Sequence, residues 1–332
     1  MLQARERLAI NKGLAYLMLA LSSLIFGFSF LFTKLTLTHL EIFQLLGNRF
    51  LIAAVIMTLL ILVRAVKVNI TAAKLKKLLA ISALQPIIYF IGETFGVQMT
   101  SSSESGMMIA LMPIAIALFS RAILNERLNI RQWVSVFISV AGVGLIVGAK
   151  GLSMGTGSML GYLILLVAVT AEGAYSPFVR KYSLQCSPFE TTFVMMWVGA
   201  IVFNAIGITK AGVAGSLETY FTDIIKPGVF TGLVYLSILS SIIAFFFINY
   251  ALSKVDASKS ASFANLTTVV SVLAGTLIGG ETILPLQIAG VVLIMLSIWG
   301  VLHTGKKSKG TQPGDRKPSK NTAQGGGFYP QV

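Results

Sequence analysis

Long apolar runs set what this chain can fold into. Ten of them are about 20 residues long, which is enough for a helix to cross a hydrocarbon core ~30 Å thick. Only 11% of the residues are charged, against about 25% in soluble domains, so polar surface cannot cover these runs. We expect an all-α integral membrane protein with ten transmembrane helices, at residues 13–34, 42–63, 77–98, 104–124, 131–149, 158–179, 189–208, 229–251, 258–279 and 285–303.

The basic residues between these runs predict the orientation of the chain. Of the 26 lysines and arginines, 21 fall on one side of the predicted membrane and four, Lys34, Lys150, Lys210 and Lys226, fall on the other. Cytoplasmic loops collect basic residues, so a multi-pass plasma-membrane protein with both termini in the cytoplasm is predicted. Because the formal charge of +14 is spread over loops and a tail, it indicates contact with a lipid bilayer and no nucleic-acid partner.

The second half of the chain repeats the first. Ser103–Leu145 aligns with Ser258–Gly300 at an offset of 155 residues, which places Glu126 on Glu281. The segments before them align at an offset of 146, which places Lys34 on Arg180. Each copy is an apolar helix, a turn carrying one acid and a second apolar helix. A period this long indicates a duplicated half-protein.

Five helices in each half predict that the halves are inverted. An odd number makes the second half enter the membrane upside down relative to the first. The turn at Glu126 carries Arg121, Arg127 and Arg131, whereas the turn at Glu281 carries no lysine or arginine, as expected for turns on opposite sides. Inverted repeats place a substrate site near the bilayer midplane and open it alternately to each side.

The predicted boundaries follow from these halves. Residues 1–12 form a charged cytoplasmic segment, 13–149 the first repeat (helices 1–5) and 150–303 the second (helices 6–10). Residues 304–332 are basic and rich in Gly, Pro, Ser and Gln, so we expect a disordered cytoplasmic tail.

Several short features, in this order, resemble a known family. They are Phe26-Gly27 with Lys34 at the end of helix 1, Arg49 in helix 2, Pro113 in helix 4, the turn Leu124-Asn125-Glu126-Arg127-Leu128, Gly142-Val143 in helix 5 and the second turn Gly279-Gly280-Glu281. Over residues 13–303 the chain resembles the drug/metabolite transporter superfamily, with two tandem EamA-type repeats. The resemblance implies an exporter-like carrier of ten helices with cytoplasmic termini, which moves amino acids, related metabolites or drugs.

Arg49, Glu93 and Glu172 are ionisable residues inside predicted spans. Such groups cost roughly 2.5–3.5 kcal/mol on insertion scales and need a partner or a function. Arg49 and Glu93 lie at similar depths below the outer face, so we predict an ion pair that lines the outer half of a cavity. The alternatives are a purely structural pair and two groups that reach the interface separately.

Glu172 belongs to the cytoplasmic half of helix 6, where no predicted span places a lysine or arginine at its depth. We therefore predict that it carries a proton or acts as the counter-ion of an amine, with Glu93 as the second candidate for proton coupling. The alternative is that Glu172 reaches Arg180 or Lys181 near the inner face.

Other polar residues recur at helical spacing. Gln85, Tyr89 and Glu93 form one predicted stripe on helix 3, and Ser22, Phe26, Ser29 and Thr33 share a face of helix 1. We add Trp197, Asn249 and Asn265 to the predicted substrate cavity, although Trp197 can equally face lipid. Glu126 and Glu281 are interpreted as turn and helix-cap residues of the two repeats.

The sequence argues against an enzyme. Gly151–Gly155 matches the pattern of a nucleophile elbow, but it follows a membrane helix and not a strand. No cluster of His, Cys and acidic residues has metal-binding spacing, and Cys186 is the one cysteine. No glycine-rich loop precedes a phosphate-binding lysine. We expect neither a metal nor a cofactor.

These patterns predict a secondary transporter. We expect it to export small metabolites, such as amino acids or amine-containing compounds and drugs, by alternating access with proton coupling. The alternative is a membrane sensor or scaffold that keeps the fold but does not transport. The sequence leaves the oligomeric state open.

Overall fold

The computed structural model describes residues 2–124, 130–149, 156–261 and 263–303, and within these ranges it contains helices and no β-strand. The main helices are α1 Leu2–Thr36, α2 Ile42–Leu62, α3 Ala72–Met99, α4 Ser102–Leu124, α5 Ile130–Gly148, α6 Thr156–Tyr182, α7 Pro188–Val213, α8 Pro227–Lys254, α9 Ala264–Leu277 and α10 Pro285–His303. Short helices at Leu217–Thr222 and Ala257–Ala261 precede α8 and α9.

Eight helical stretches of the described residues are long and apolar enough to cross a membrane. They coincide with eight predicted spans and lie in α1–α4 and α6–α9. The last stretch, Lys259–Leu277, begins in the short helix that precedes α9. Helices α5 and α10 occupy the fifth and tenth predicted positions, but their crossing of the membrane, and hence the count of ten, stays a prediction. Glu126 and the tail 304–332 lie outside the described residues.

Helix α3 departs from regular helical geometry in its middle. Residues Ala83–Ile88 are π-helical, and within them Gln85 has φ −140° and ψ 116°. Proline disfavours the α region for the residue before it, and Pro86 follows Gln85. The predicted stripe of Gln85, Tyr89 and Glu93 assumed regular α-helical spacing, which is interrupted at Gln85, yet all three side chains are buried in the interior.

Helix α8 carries a matching irregularity. Its residues Tyr235–Ala244 are π-helical. Ser240 lies 155 residues after Gln85, which is the offset of the internal repeat. Segments of this kind occur often at functional sites, and here they lie at equivalent places in the two halves.

Contacts between helix ends define two faces of the bundle. At one end, Lys34 Nζ donates to the carbonyls of Val97 (2.9 Å) and Gln98 (3.1 Å) at the end of α3. We call this end the Lys34 face; it also holds the starts of α2 and α4 and the segment between α7 and α8. At the other end, Arg180 Nη1 donates to the carbonyl of Leu252 at the end of α8 (3.0 Å). This Arg180 face also holds the starts of α3 and α7.

The two halves make equivalent contacts. Lys34 and Arg180 are 146 residues apart, and their acceptors Val97 and Leu252 are 155 apart. The residues that follow α3 and α8, Thr100 and Val255, are both extended, with φ −121° and −124°. In each half, a cation at the end of the first helix thus holds the end of the third.

Close helix contacts repeat in the same way. Gly27 in α1 packs against Val270 in α9, and Gly173 in α6 packs against Ala115 in α4. A Cβ at either glycine would lie 2.5–2.6 Å from its neighbour's side chain. Without water to drive helices together, close packing through small residues holds membrane bundles.

Candidate functional site

A cavity lies in the middle of the bundle. Its walls come from α1, α2, α3, α4, α6, α8 and the region where α9 starts. Five of the predicted site residues line it, namely Arg49, Gln85, Tyr89, Glu93 and Glu172. No lining residue lies within five residues of a helix end at the Lys34 face, whereas Leu19, Ser176 and Ser260 continue the lining toward the Arg180 face.

Arg49 is held in the cavity wall by α8. Its Nε donates to Ser241 Oγ (2.7 Å) and its Nη2 to Ser240 Oγ (2.8 Å). The guanidinium carbon lies 4.5 Å from the centre of the Phe90 ring, which is cation–π range. Only 1% of the residue's surface is exposed. The π-helical segment of α8 thus supplies neutral acceptors to a buried cation.

The predicted ion pair between Arg49 and Glu93 is not formed. Both residues are described and line the same cavity, yet their side chains make no ion-pair contact, because Arg49 turns to the two serines. Glu93 is 3% exposed, and its Oε2 accepts a hydrogen bond from Thr94 Oγ1 (3.1 Å).

Glu172 faces the cavity from α6. It is 5% exposed, and its Oε1 accepts a hydrogen bond from Ser176 Oγ (2.8 Å). Its Oε2 has no hydrogen-bond partner among the described residues. Arg180, offered above as an alternative partner, instead binds the carbonyl of Leu252 and lies 3.9 Å from Asp256.

Aromatic and aliphatic side chains form the rest of the wall. Phe26 packs edge-on against Phe245, with ring centres 5.0 Å apart, and Phe90 lies 5.8 Å from the same ring. Ser22, Phe26 and Ser29 of the predicted helix 1 stripe line the cavity. The hydroxyls of Ser22 and Ser29 donate to carbonyls within α1, so their hydrogen-bonding groups are partly satisfied already.

Three predicted site residues lie outside the cavity lining. Trp197 donates to Thr58 Oγ1 (3.1 Å) and so joins α7 to α2. Asn249 accepts from Tyr175 Oη (2.8 Å) and donates to Thr192 Oγ1 (3.0 Å), which ties α8 to α6 and α7. The remaining residue, Asn265, is partly buried in α9, and its Oδ1 has no partner among the described residues.

Glu281 binds the start of α4 at the Lys34 face. Its Oε1 accepts hydrogen bonds from the backbone N–H and the hydroxyl of Ser102, and its Oε2 accepts one from the N–H of Ser103, each at 2.8 Å. Partial burial alone would raise the pKa of this carboxyl, but the hydrogen bonds from Ser103 and Ser102 outweigh it and lower the pKa. Glu281 therefore caps α4 from the loop after α9, as a carboxylate.

The charged residues of the cavity break the symmetry of the repeat. At the repeat offsets, the positions of Arg49, Glu93 and Glu172 are taken by Met195, Ile248 and Phe26. Apolar residues at the equivalent positions show that the fold does not need these charges. Since buried charges are costly in a membrane, their presence in one cavity indicates a functional demand.

Sequence reasoning missed the serines that bind Arg49. Ser240 and Ser241 lie in an apolar run where isolated serines are ordinary. A signal existed, because they occupy the repeat positions of Gln85 and Pro86, where α3 is irregular. No group of three or more His, Cys, Asp or Glu residues suited to a metal occurs in the described part of the chain.

Comparison with known proteins agrees with this architecture. The EamA-like transporter family matches residues 13–148 and again residues 159–303. The uncharacterized transporter YcxC of Bacillus subtilis is 36% identical over 89% of this chain and 95% of its own length. An uncharacterized transporter of Archaeoglobus fulgidus is 24% identical over 87% of this chain and 98% of its own.

A solved crystal structure has the same fold. It superimposes with a TM-score of 0.62 at 18% identity and covers 87% of this chain and 98% of its own length. The two family matches cover both halves of the internal repeat. The alignments with the two relatives, which are named as uncharacterized transporters, cover nearly the whole length of those proteins. The chain is a multi-pass membrane protein and belongs to the EamA-like transporter family.

Proposed function

We propose that this chain is a secondary transporter that exports small amine-containing metabolites or drugs, with amino acids among them, by alternating access. The observation that carries the proposal is the central cavity, where Arg49, Glu93 and Glu172 are buried together among apolar walls. Intramembrane ionisable residues that face a cavity mark substrate and ion pathways.

An inverted arrangement of the two halves supports alternating access. The contacts of Lys34 with Val97 and of Arg180 with Leu252 are equivalent under the repeat but lie at opposite ends of the bundle. That is the pattern of two halves related by an axis in the membrane plane. Rocking of one half against the other exposes the cavity to each side in turn.

The distribution of basic residues assigns the Arg180 face to the cytoplasm. This face carries Arg64, Lys67, Lys76 and Lys181, which supports the proposal that both termini lie inside the cell. The cavity lining continues toward this face, whereas Glu281 and Lys34 join helix ends at the opposite one. We therefore propose that the described state loads substrate from the cytoplasm, as an exporter must.

Proton coupling is assigned to Glu172, with Glu93 as the second carboxyl. Both side chains are at most 5% exposed, line the cavity and make no ion pair with another described residue. A carboxyl group that alternates between a proton and a cationic substrate couples the two fluxes, because both cannot occupy it at once.

Counterflow in proteoliposomes tests the function. Purified protein is assayed against a panel of labelled amino acids and amines, with and without a pH gradient, beside Glu172→Gln and Glu93→Gln. The matched control is Glu218→Gln, an exposed acid of the segment between α7 and α8. We expect uptake that the cavity variants reduce at least tenfold and the control leaves unchanged. If instead the protein shows no transport and its function in the cell survives the double substitution Glu93→Ala, Glu172→Ala, the chain acts as a sensor or scaffold.

A further inference from the structure

The hydrogen-bonding groups of the cavity are unevenly satisfied. On the donor side, two nitrogens of Arg49 already bind Ser240 and Ser241. On the acceptor side, Glu172 Oε2 and Gln85 Oε1 have no partner among the described residues, although the two residues are only 5% and 2% exposed. Buried polar atoms are nearly always hydrogen-bonded, to protein or to ordered water. A ligand that displaces water from these two acceptors therefore has to donate hydrogen bonds to them.

The charges of the lining point the same way. Arg49, Glu93 and Glu172 are the charged side chains among the described lining residues. When all three are ionised they leave one net negative charge. A ligand with one positive charge balances the cavity, whereas a zwitterion adds no net charge. Two of the five N–H groups of Arg49 already bind the serines, so fewer remain for a substrate carboxylate.

The walls define the rest of the ligand. Phe26, Phe30, Phe90, Phe245 and Phe263 all line the cavity, together with Leu19 and several isoleucines. Such walls accommodate an aromatic or branched apolar body, and aromatic faces also attract an ammonium group. Ligand sites commonly combine apolar walls with a few convergent polar groups that fix orientation.

We propose that the substrate is an amphipathic organic monoamine that carries no carboxylate. Its ammonium group donates to Glu172 Oε2 and Gln85 Oε1, and its apolar body lies against the phenylalanines of α1, α3 and α8. Arg49 positions α2 against α8 and does not receive a substrate carboxylate. This inference rests on the proposed function and narrows its substrate class by excluding amino acids.

Three ligands with the same phenyl body test the proposal. Phenethylamine carries the amine alone, phenylalanine adds a carboxylate, and 3-phenylpropionate carries the carboxylate alone. Binding to the purified full-length protein is measured by thermal stabilisation, and transport by competition in counterflow. We expect phenethylamine to bind at least tenfold more tightly than phenylalanine, and 3-phenylpropionate not to bind.

Variants locate the ammonium site. We expect Glu172→Gln to weaken the binding of phenethylamine at least tenfold, because it removes the negative charge that pairs with the ammonium group. The exposed control Glu218→Gln should leave the affinity for phenethylamine unchanged. The comparison of the three ligands on the unaltered protein needs no variant, so it holds even if Glu172→Gln fails to fold.

The possible outcomes separate the two proposals. Tighter binding and transport of phenylalanine than of phenethylamine would overturn the monoamine inference and leave the transporter proposal standing. Equal affinity for the two would also overturn the inference, since the carboxylate would then be accepted. Absence of transport for the whole panel of amines and amino acids would contradict the proposed function itself, and the inference with it.

Discussion

Glu281 is a single residue whose contacts reach across the molecule. It lies in the loop between α9 and α10 but accepts three hydrogen bonds at the start of α4. The first N–H groups of a helix have no partner within it, and a negative charge there is favoured by the helix dipole. The side chain thereby joins the second half of the chain to the first at the Lys34 face.

This contact predicts an acid-dependent loss of stability. The folded pKa of Glu281 is lowered below its usual range, whereas an unfolded glutamate titrates near ~4.3. A group with a lowered folded pKa stabilises the protein fully above its unfolded pKa and loses that contribution as the pH falls through the folded value. Thermal unfolding in detergent between about pH 3 and 7 should show wild type losing stability on acidification more steeply than Glu281→Gln.

The variant itself should be less stable at neutral pH. Loss of a helix cap costs about 0.5–2 kcal/mol, so the midpoint of unfolding should fall at pH 7 and the two proteins should converge in acid. Glu218→Gln provides the comparison, since its carboxyl is exposed. Parallel curves for wild type and Glu281→Gln over the whole pH range would show that the cap contributes nothing.

The sequence predicted that Glu281 caps a helix, but it could not identify which one. The capped residue Ser102 is 179 residues away in the chain, and local spacing carries no information on such a pair. The same distance explains the error at Arg49. A depth argument placed it beside Glu93, but the neutral acceptors Ser240 and Ser241 come within hydrogen-bonding distance once α8 is packed against α2.

At the scale of elements, the irregular segments of α3 and α8 differ in how predictable they were. Pro86 marks α3 in the sequence, because a proline removes a helix hydrogen bond and restricts the residue before it. The matching segment Tyr235–Ala244 contains neither proline nor glycine, so nothing local marks it. Only the repeat offset, which aligns Ser240 with Gln85, relates the two.

Helix packing gives a prediction with a built-in control. An alanine at Gly27 would place its Cβ 2.5 Å from Val270 and 3.0 Å from the carbonyl oxygen of Thr267; at Gly173, the Cβ would lie 2.6 Å from Ala115. Overpacking of this kind costs about 1–3 kcal/mol. We expect Gly27→Ala and Gly173→Ala to lower the midpoint of thermal unfolding by similar amounts, because they disturb equivalent contacts in the two halves.

Gly144 is the matched control for both variants. It lies in α5, and a Cβ built there meets no atom within 4 Å. Since alanine favours a helix over glycine by up to about 1 kcal/mol, Gly144→Ala should leave stability unchanged or raise it slightly. Equal losses in all three variants would mean that the close contacts of α1 with α9 and of α6 with α4 do not limit packing.

For the whole molecule, the sequence predicted best those features that a single physical requirement imposes on many residues at once. Every backbone polar group in a bilayer must be satisfied internally, so apolar runs of about 20 residues become helices, and eight predicted spans recur within a few residues of their expected ends. Trp197 and Asn249 were misplaced because hydropathy records depth in the membrane and not the direction in which a side chain points.

The last prediction tests the proposed inversion of the two halves. The loops that contain Lys67 and Glu218 connect equivalent helices, α2 to α3 and α7 to α8, and both residues are exposed. If the halves are inverted, these loops face opposite compartments, with Lys67 in the cytoplasm. After Cys186→Ser removes the one cysteine, we expect an impermeant maleimide to label Glu218→Cys in intact cells and Lys67→Cys only after permeabilisation.

Each pattern of labelling corresponds to a different topology. Both substitutions lie at exposed positions outside the ten main helices and the cavity, so transport activity confirms that each variant is folded. Labelling of both positions from outside would contradict the inversion, and with it the alternating access that the cavity is proposed to serve. The reverse pattern, with Lys67→Cys outside, would keep the inversion but turn the cavity toward the exterior, because its lining continues toward the Arg180 face. Export would then lose its structural support, since the described state would load substrate from outside the cell.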